Sequence, residues 1–375
     1  MATKDEHRLY QKRVKDLTLA AGAGDLAAAR TLLRADPTLV TRSDTAMLEA
    51  CKMGQAAVVR FFLDAGAPVE AHAYPEGPCD RRPLTSVLGR NKNNPDWGGE
   101  HRATLDLLLE RGADLGYQPG WAAHSALTAA AAGGNTAAIA LLRPLRGEPL
   151  DLWESAALAD RARVEALIAQ DPAVATAPSP AGYTALHYAA HSALGVADPR
   201  VALDLAAIAE ALMDAGCTIE TQAEGCETYN PIRLAARIGN SAVMQVFARR
   251  SDETAQVFWC AAMQQDLAAL DVLIATGRPV DLDAHGDVKR RNSVLAECLR
   301  YGQLQAADWL IAHGADPNFA DTNGWTALHY AARRGVRPEL IHALLTAGAD
   351  PTAKTTDGER PADLARKPDI KTLLA

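Results

Sequence analysis

The stretch NGWTALHYAARRG, residues 323–335, decides how this chain is read. A near copy, AGYTALHYAAHSA, occupies residues 181–193. Both hold a threonine, a leucine, a histidine and paired alanines at the same spacing. The threonine is suited to open a helix, because its oxygen accepts backbone N–H groups that have no partner inside the first turn. The paired alanines let a second helix approach closely. Gly335 closes the first helix, in a left-handed conformation that glycine adopts at little cost. A histidine in such a frame is either a site that occurs twice or a part of the scaffold.

Working outward, the frame recurs along the chain. A first helix rich in small residues stops near a Gly. A second helix carries Val, Ile or Leu at helical spacing, and a tail such as GAD follows. LTLAAGAGDLAAARTLLRADP starts at Leu17, AMLEACKMGQAAVVRFFLDAGAP at Ala46, and SALTAAAAGGNTAAIALL at Ser125. PIRLAARIGNSAVMQVF, VLAECLRYGQLQAADWLIAHGADPN and ALHYAARRGVRPELIHALLTAGADP continue it. About ten helix pairs are expected, followed by a shortened unit, DGERPADLARKPDIKTLLA. Such a pair cannot bury its apolar face alone, and stacking on its neighbours completes the core.

This pattern resembles the ankyrin repeat, whose signature is TPLHxAA, a Gly and a GADxN tail at a period of about 33 residues. The likeness is strongest at Thr326 to Gly335 and is degenerate between about residues 121 and 172 and around Phe258. It implies an all-α solenoid of stacked antiparallel helix pairs with hairpin loops. The expected organisation is one elongated domain over residues 1–375, with an N-terminal cap helix over 5–20 and a C-terminal cap over 358–375. The resemblance also implies that His187 and His329 are structural, hydrogen-bonding loop backbone and tying adjacent repeats together.

Spacing departs from the period. Thr184 and Thr326 lie 142 residues apart, where four repeats would give 132. Extra residues fall in HSALGVADPRVALDL and NKNNPDWGGE, and long hairpin loops are expected at PVEAHAYPEGPCDRR and RPVDLDAHGDVKRRN. Polar insertions of this kind are surface loops and often carry function.

Composition narrows the function classes. The 375 residues are 48% hydrophobic but only 5% aromatic, with a net charge of −8. The acidic balance argues against a general nucleic-acid binder. Six cysteines lack a CxxC pair and read as reduced thiols of a cytoplasmic protein. No apolar run reaches the roughly 18 residues that a membrane span needs, and the charged opening MATKDEHRLYQKRVKD is no signal peptide.

Catalytic and metal motifs are missing. There is no GxSxG elbow and no phosphate-binding GxxxxGK[ST] loop. His187 and His191 have the i, i+4 spacing of zinc ligands, yet no Glu follows as in HExxH and no third ligand is evident. His72, Cys79, His101 and His124 form a loose cluster without ligand spacing and read as surface polar residues. No cofactor or metal is expected.

In the fold that the resemblance implies, the fingertips and the ends of the first helices line a concave face. Carried over position by position, the candidate partner-binding residues are Trp325, Arg333 and Arg334; Lys289, Arg290, Arg300 and Tyr301; Tyr229 and Arg237; and Tyr183 and His191. The set is basic and aromatic, although the chain from Tyr188 onward holds 18 Lys/Arg against 24 Asp/Glu. The expected function is a non-catalytic, monomeric interaction scaffold. Its groove would take a protein partner or an acidic or phosphorylated segment, with Arg as anchor and Trp or Tyr as platform. The alternative is a small-molecule or enzymatic role, with a pocket closed by loops at 71–100 and 191–200.

Overall fold

The computed structural model describes residues 4–42, 44–71, 82–89, 97–116, 124–180, 182–219, 230–284 and 291–375. Every regular element among them is helical. None of these helices is long and apolar enough to cross a membrane. The chain divides into two compact units, Met1–Leu234 and Ala235–Ala375.

In the first unit a long opening helix, Lys4–Ala23, pairs with Leu26–Ala35. Five further pairs follow: Asp44–Lys52 with Ala56–Asp64, Pro83–Leu88 with Gly99–Glu110, Ala126–Ala132 with Thr136–Arg146, Leu152–Ala157 with Arg161–Gln170, and Ala185–His191 with Pro199–Asp214. Each first helix packs on the first helix of the next pair. The second unit repeats the plan: Thr254–Gln264 with Leu267–Ala275, Val294–Tyr301 with Leu304–Ala312, Ala327–Arg334 with Pro338–Thr346, and a short closing pair, Pro361–Leu364 with Pro368–Leu373.

The sequence explains the close stacking. First helices present small buried residues such as Ala130, Ala156, Ala189, Ala261 and Ala331, which leave room for the neighbouring backbone. Second helices contribute Leu142, Leu212, Leu310 and Leu344, all buried. Each such leucine stabilises the fold by about 1.5–3 kcal/mol relative to exposure. Cys51, Cys217, Cys260 and Cys298 are buried. Burial pushes Cys217 up to about 11 and, with Glu297 adding to it, Cys298 up to about 12, so both stay protonated and unreactive at neutral pH.

One insertion departs from the expected loop. Residues 194–197 form a short helix, and Pro199–Asp214 is a 16-residue helix rather than loop plus short helix. Asp198 caps it by accepting the Arg200 N–H at 2.9 Å, and Pro199 stands at its first position, where no N–H is needed. Gly195 lies against Ala202, closer than any side chain would permit. The segment is therefore packed scaffold. Of the other expected loops, residues 72–81, 90–96 and 285–290 lie outside the described residues.

Candidate functional site

Two hydrogen-bonded joints, repeated along the array, build the surface in question. The first uses the histidine of the opening stretch. His329 is buried. Its Nδ1 accepts the Thr326 backbone N–H at 3.1 Å, so Nε2 carries the proton and donates to the Glu359 carbonyl at 3.2 Å. The cap is thus made by the histidine on the threonine backbone, with the Thr326 hydroxyl 2.9 Å from the same nitrogen. Glu359 belongs to the next helix pair, so the ring ties two repeats together. His187 accepts the Thr184 N–H in the same way at 3.2 Å. Burial holds His329 below the ordinary histidine range.

The second joint lies at the other end of the first helix. Gly302 closes Val294–Tyr301 at φ +83°, and the Arg334 guanidinium rests where a side chain at 302 would stand. Arg334 Nη1 donates to the Arg300 carbonyl at 2.8 Å, satisfying an oxygen that the helix end leaves free. The Lys367 stem covers Gly335 similarly. In the first unit the donors are uncharged side chains or a histidine: Gln55 Nε2 reaches the Gly22 carbonyl at 3.3 Å, His101 Nε2 lies 3.2 Å from the Lys52 carbonyl, and Ser192 Oγ donates to Ala157 at 2.7 Å. In the second unit Arg334 and Lys367 take this place, while the corresponding residue one repeat earlier is Tyr301. A cation suits this place, because helix C-termini are the negative ends of their dipoles.

Around these joints the second unit gathers the aromatic and basic residues. Arg333, exposed, holds its guanidinium 5.2 Å from the Trp325 ring centre. Trp325 is half-buried and packs on Tyr330 at 5.0 Å and His329 at 5.9 Å. One repeat back, Arg300 lies 5.0 Å over the Tyr301 ring, which is 53% exposed. Arg300 Nη1 also pairs with the buried Glu297 carboxylate at 3.2 Å, and Asn292 Nδ2 donates to the same oxygen. Tyr330 donates to Asp321 at 2.8 Å, and Asn292 Oδ1 lies 3.4 Å from the same hydroxyl. Burial and the Asp321 carboxylate push that phenol up to about 12. Asp321 in turn accepts the N–H groups of Asn323 and Trp325 at 2.8 Å. A buried polar network therefore fixes the fingertip that presents Trp325. Among the described residues neither Arg333 nor Arg334 forms an ion pair with a carboxylate.

The candidate residues thus separate. Trp325, Arg333, Arg334, Arg300 and Tyr301 share one face of the second unit. Arg237 is exposed on helix Pro231–Ile238. Tyr229, Lys289 and Arg290 lie outside the described residues. Tyr183 and His191 were expected on the groove, but they are 2% and 8% exposed and belong to the interior of the first unit. Tyr183 packs edge-on against His187 at 5.3 Å and Tyr188 at 6.2 Å, the same partners that Trp325 finds in His329 and Tyr330, but here the ring is buried. The surface reading of His101 and His124 is corrected too. His101 is buried. His124 Nε2 sits 2.7 Å from Asp151 Oδ2, edge-on to Trp153 at 4.9 Å. Burial alone would raise Asp151, but the hydrogen bonds from His124 and the Glu154 N–H bring it below the ordinary carboxylate range.

Sequence reasoning missed Lys367 and the Glu297–Asn292 pair. A signal existed for the first: the side chain that covers each glycine follows it by 32 residues, at both Gly302–Arg334 and Gly335–Lys367. No group of three or more His, Cys, Asp or Glu among the described residues could hold a metal. A cavity of about 240 Å³ in the second unit is lined by Ser241, Met244, Cys260, Gln264, Gln265 and Asp266. It is smaller than the ~300 Å³ at which ligand pockets usually begin, and Asp266 is occupied in capping Ala269 and bonding Ser241.

Comparison with known proteins places this architecture. A model of ankyrin repeats, in three copies, matches residues 257–355. Protein phosphatase 1 regulatory subunit 27 of Mus musculus is 38% identical over 82 residues, which is 22% of this chain and 52% of that protein. Ankyrin repeat domain-containing protein 40 of Homo sapiens is 32% identical over 87 residues, 23% of each. The chain therefore spans about half the length of the first relative and about a quarter of the second. Among solved structures, the human ASB11 ankyrin repeat domain aligns with a TM-score of 0.46 at 23% identity, covering 60% of this chain and 96% of that one. Residues 257–355 of this chain carry three ankyrin repeats.

Proposed function

We propose that this protein is a non-catalytic interaction module, working as a monomer in the cytoplasm. Its second unit would bind an acidic or phosphorylated segment of a partner protein on the face of Trp325, Arg333, Arg300, Tyr301 and Arg334. The observation that carries the reading is Arg333. It is exposed, lies over a held aromatic ring, and has no carboxylate partner among the described residues. It closes no helix and caps no carbonyl, so neither stacking nor capping accounts for it. A guanidinium on an aromatic platform offers a fork of donors to a carboxylate or phosphate beside an apolar surface. Arg334 and Arg300 add positive charge but also hold the scaffold, and they count as supporting residues. The relatives' names fit a regulatory, partner-binding role: one is a regulatory subunit of a phosphatase.

The test is charge reversal at Arg333 alone. R333E should fold with an unchanged melting temperature and lose at least tenfold in affinity for an acidic peptide, or in recovery of the native partner from lysate. R334E is the poorer choice, since it also removes a helix cap. Unchanged binding by a folded R333E protein would sink the reading.

A further inference from the structure

Left-handed glycines close several of the first helices, and most of them are covered. Gly24, Gly54, Gly302 and Gly335 each have a polar or cationic side chain from the next repeat lying where a Cβ would stand. Gly239 ends Pro231–Ile238 at φ +78° and has none: no atom lies within 4 Å of that place. The side chain due to cover it is Gln264, which directly precedes the left-handed Gln265 as Arg334 directly precedes Gly335. Gln264 is exposed and makes no hydrogen bond among the described residues.

This uncovered joint lines the cavity of about 240 Å³ in the second unit. The residues around it supply less volume than their counterparts. Ser241 stands two residues after the closing glycine, where a later repeat has Leu304, and Gln264 stands where Arg334 does. The space is small for a cofactor but ample for one side chain, since a cavity of about 150 Å³ already holds a benzene ring. Met244, Cys260 and Ala261 form a buried apolar wall, while Gln264 and Asp266 stand on the solvent side.

The charge that fits is positive. Asp266 receives the Ser241 hydroxyl at 2.7 Å and the Ala269 N–H at 3.1 Å, both on Oδ1, so Oδ2 accepts no hydrogen bond among the described residues. Gly239 puts the C-terminus of helix Pro231–Ile238, the negative end of its dipole, at the same place. Arg237 is exposed and is not part of the lining. An apolar wall beside one carboxylate suits a Lys or Arg side chain, whose stem buries and whose head bonds the oxygen.

We infer that this cavity receives an arginine or lysine side chain of a partner protein, in the place that Arg334 and Lys367 fill from within the chain at later joints. The stem lies along Met244 and Ala261, and the cation meets Asp266 Oδ2 and the helix end. This contact does not rest on the acidic-segment reading: it lies in another repeat and takes the opposite charge.

The test uses the full chain with carbon-13-labelled methionine methyls, because Met244 lines the cavity and reports its occupancy. M244L assigns the signal. The ligands are the N-acetyl, N-methylamide derivatives of arginine, lysine, citrulline and norleucine, the last two being neutral counterparts of the first two. The Met244 signal should shift saturably with arginine or lysine, at least tenfold more tightly than with the neutral pair. D266N keeps a side-chain oxygen for the helix cap and should lose at least tenfold in that affinity. Q264R, which supplies the missing cation from within, should abolish binding and raise the melting temperature. R333E should leave the affinity unchanged. Citrulline or norleucine binding as tightly as the cations, or D266N binding like the wild type, would overturn the assignment. So would a Met244 signal that no derivative moves, which would mean that the cavity is a gap for water alone.

Discussion

At the scale of single residues, Gly302 and Arg334 form one device. The left-handed φ of +83° costs an L-residue about 1–2 kcal/mol, and a Cβ there would displace the guanidinium that caps Arg300. G302A should therefore destabilise the second unit by about 2–3 kcal/mol, and R334A, losing one exposed charge-assisted bond, by about 1 kcal/mol. Because G302A already expels Arg334, the double variant should fall clearly short of the sum. Chemical denaturation of the four proteins measures this, and strict additivity would show that the two residues are independent. His329 makes a second residue-scale prediction. Its folded value lies below the ordinary one because burial disfavours the imidazolium. Above about pH 6.5 the ring is neutral in both states and contributes no pH dependence. Below it the unfolded chain takes up the proton first, so stability falls as pH drops from about 6.5 toward the folded value. The melting temperature should decline on acidification more steeply in the wild type than in H329Q; parallel declines would remove His329 as the cause.

At the scale of the helix pair, what was legible in the sequence is what the joints require. Thr326, His329, Ala331, Ala332 and Gly335 each have one geometric duty, and those duties recur in order, so the fold could be read from their letters. The degenerate repeats do the same work with other residues. Ala159 adopts φ 59° and Gln265 φ 57°, where better-matched repeats place a glycine. Ser125 with Thr128, and Asp151 with Glu154, supply caps without a histidine. Ala159 is half-buried and carries only a methyl group, so A159G should relieve the left-handed strain. Part of the gain is lost to the added freedom of the unfolded chain, leaving about 0.5–1 kcal/mol of stabilisation. A raised denaturation midpoint at constant m-value is the expected outcome; a lowered one would mean that the site is not strained. The candidate site was less legible for a physical reason. Position within the repeat told which side chains share a face, but not which are spent on the scaffold. Tyr183 and His191 stand in the positions of Trp325 and Arg333 or its neighbour, yet their own repeat buries them. Arg334 looked free and proved to be a cap.

At the scale of the whole molecule, the proposed binding face is a local reversal of the global charge. The chain carries −8 overall, while Arg300, Arg333 and Arg334 cluster on one face of the second unit. An approaching acidic peptide feels both fields, and ionic strength decides over what distance. At about 10 mM salt the Debye length is near 30 Å, long enough for the acidic body to repel the ligand. At about 100 mM it is near 10 Å, so the distant carboxylates are screened while the cations in contact still act. Toward 1 M it is near 3 Å, and the contact itself weakens. Affinity for an acidic peptide should therefore pass through a maximum near 100 mM rather than fall steadily, as it would for a uniformly basic receptor. Titrations from 10 mM to 1 M sodium chloride test this, with R333Q as the control in which the maximum flattens. A monotonic fall in the wild type would mean that the acidic surface lies too far from the site to be felt, and a monotonic rise would mean that apolar contact with Trp325 and Tyr301, rather than the arginines, dominates binding.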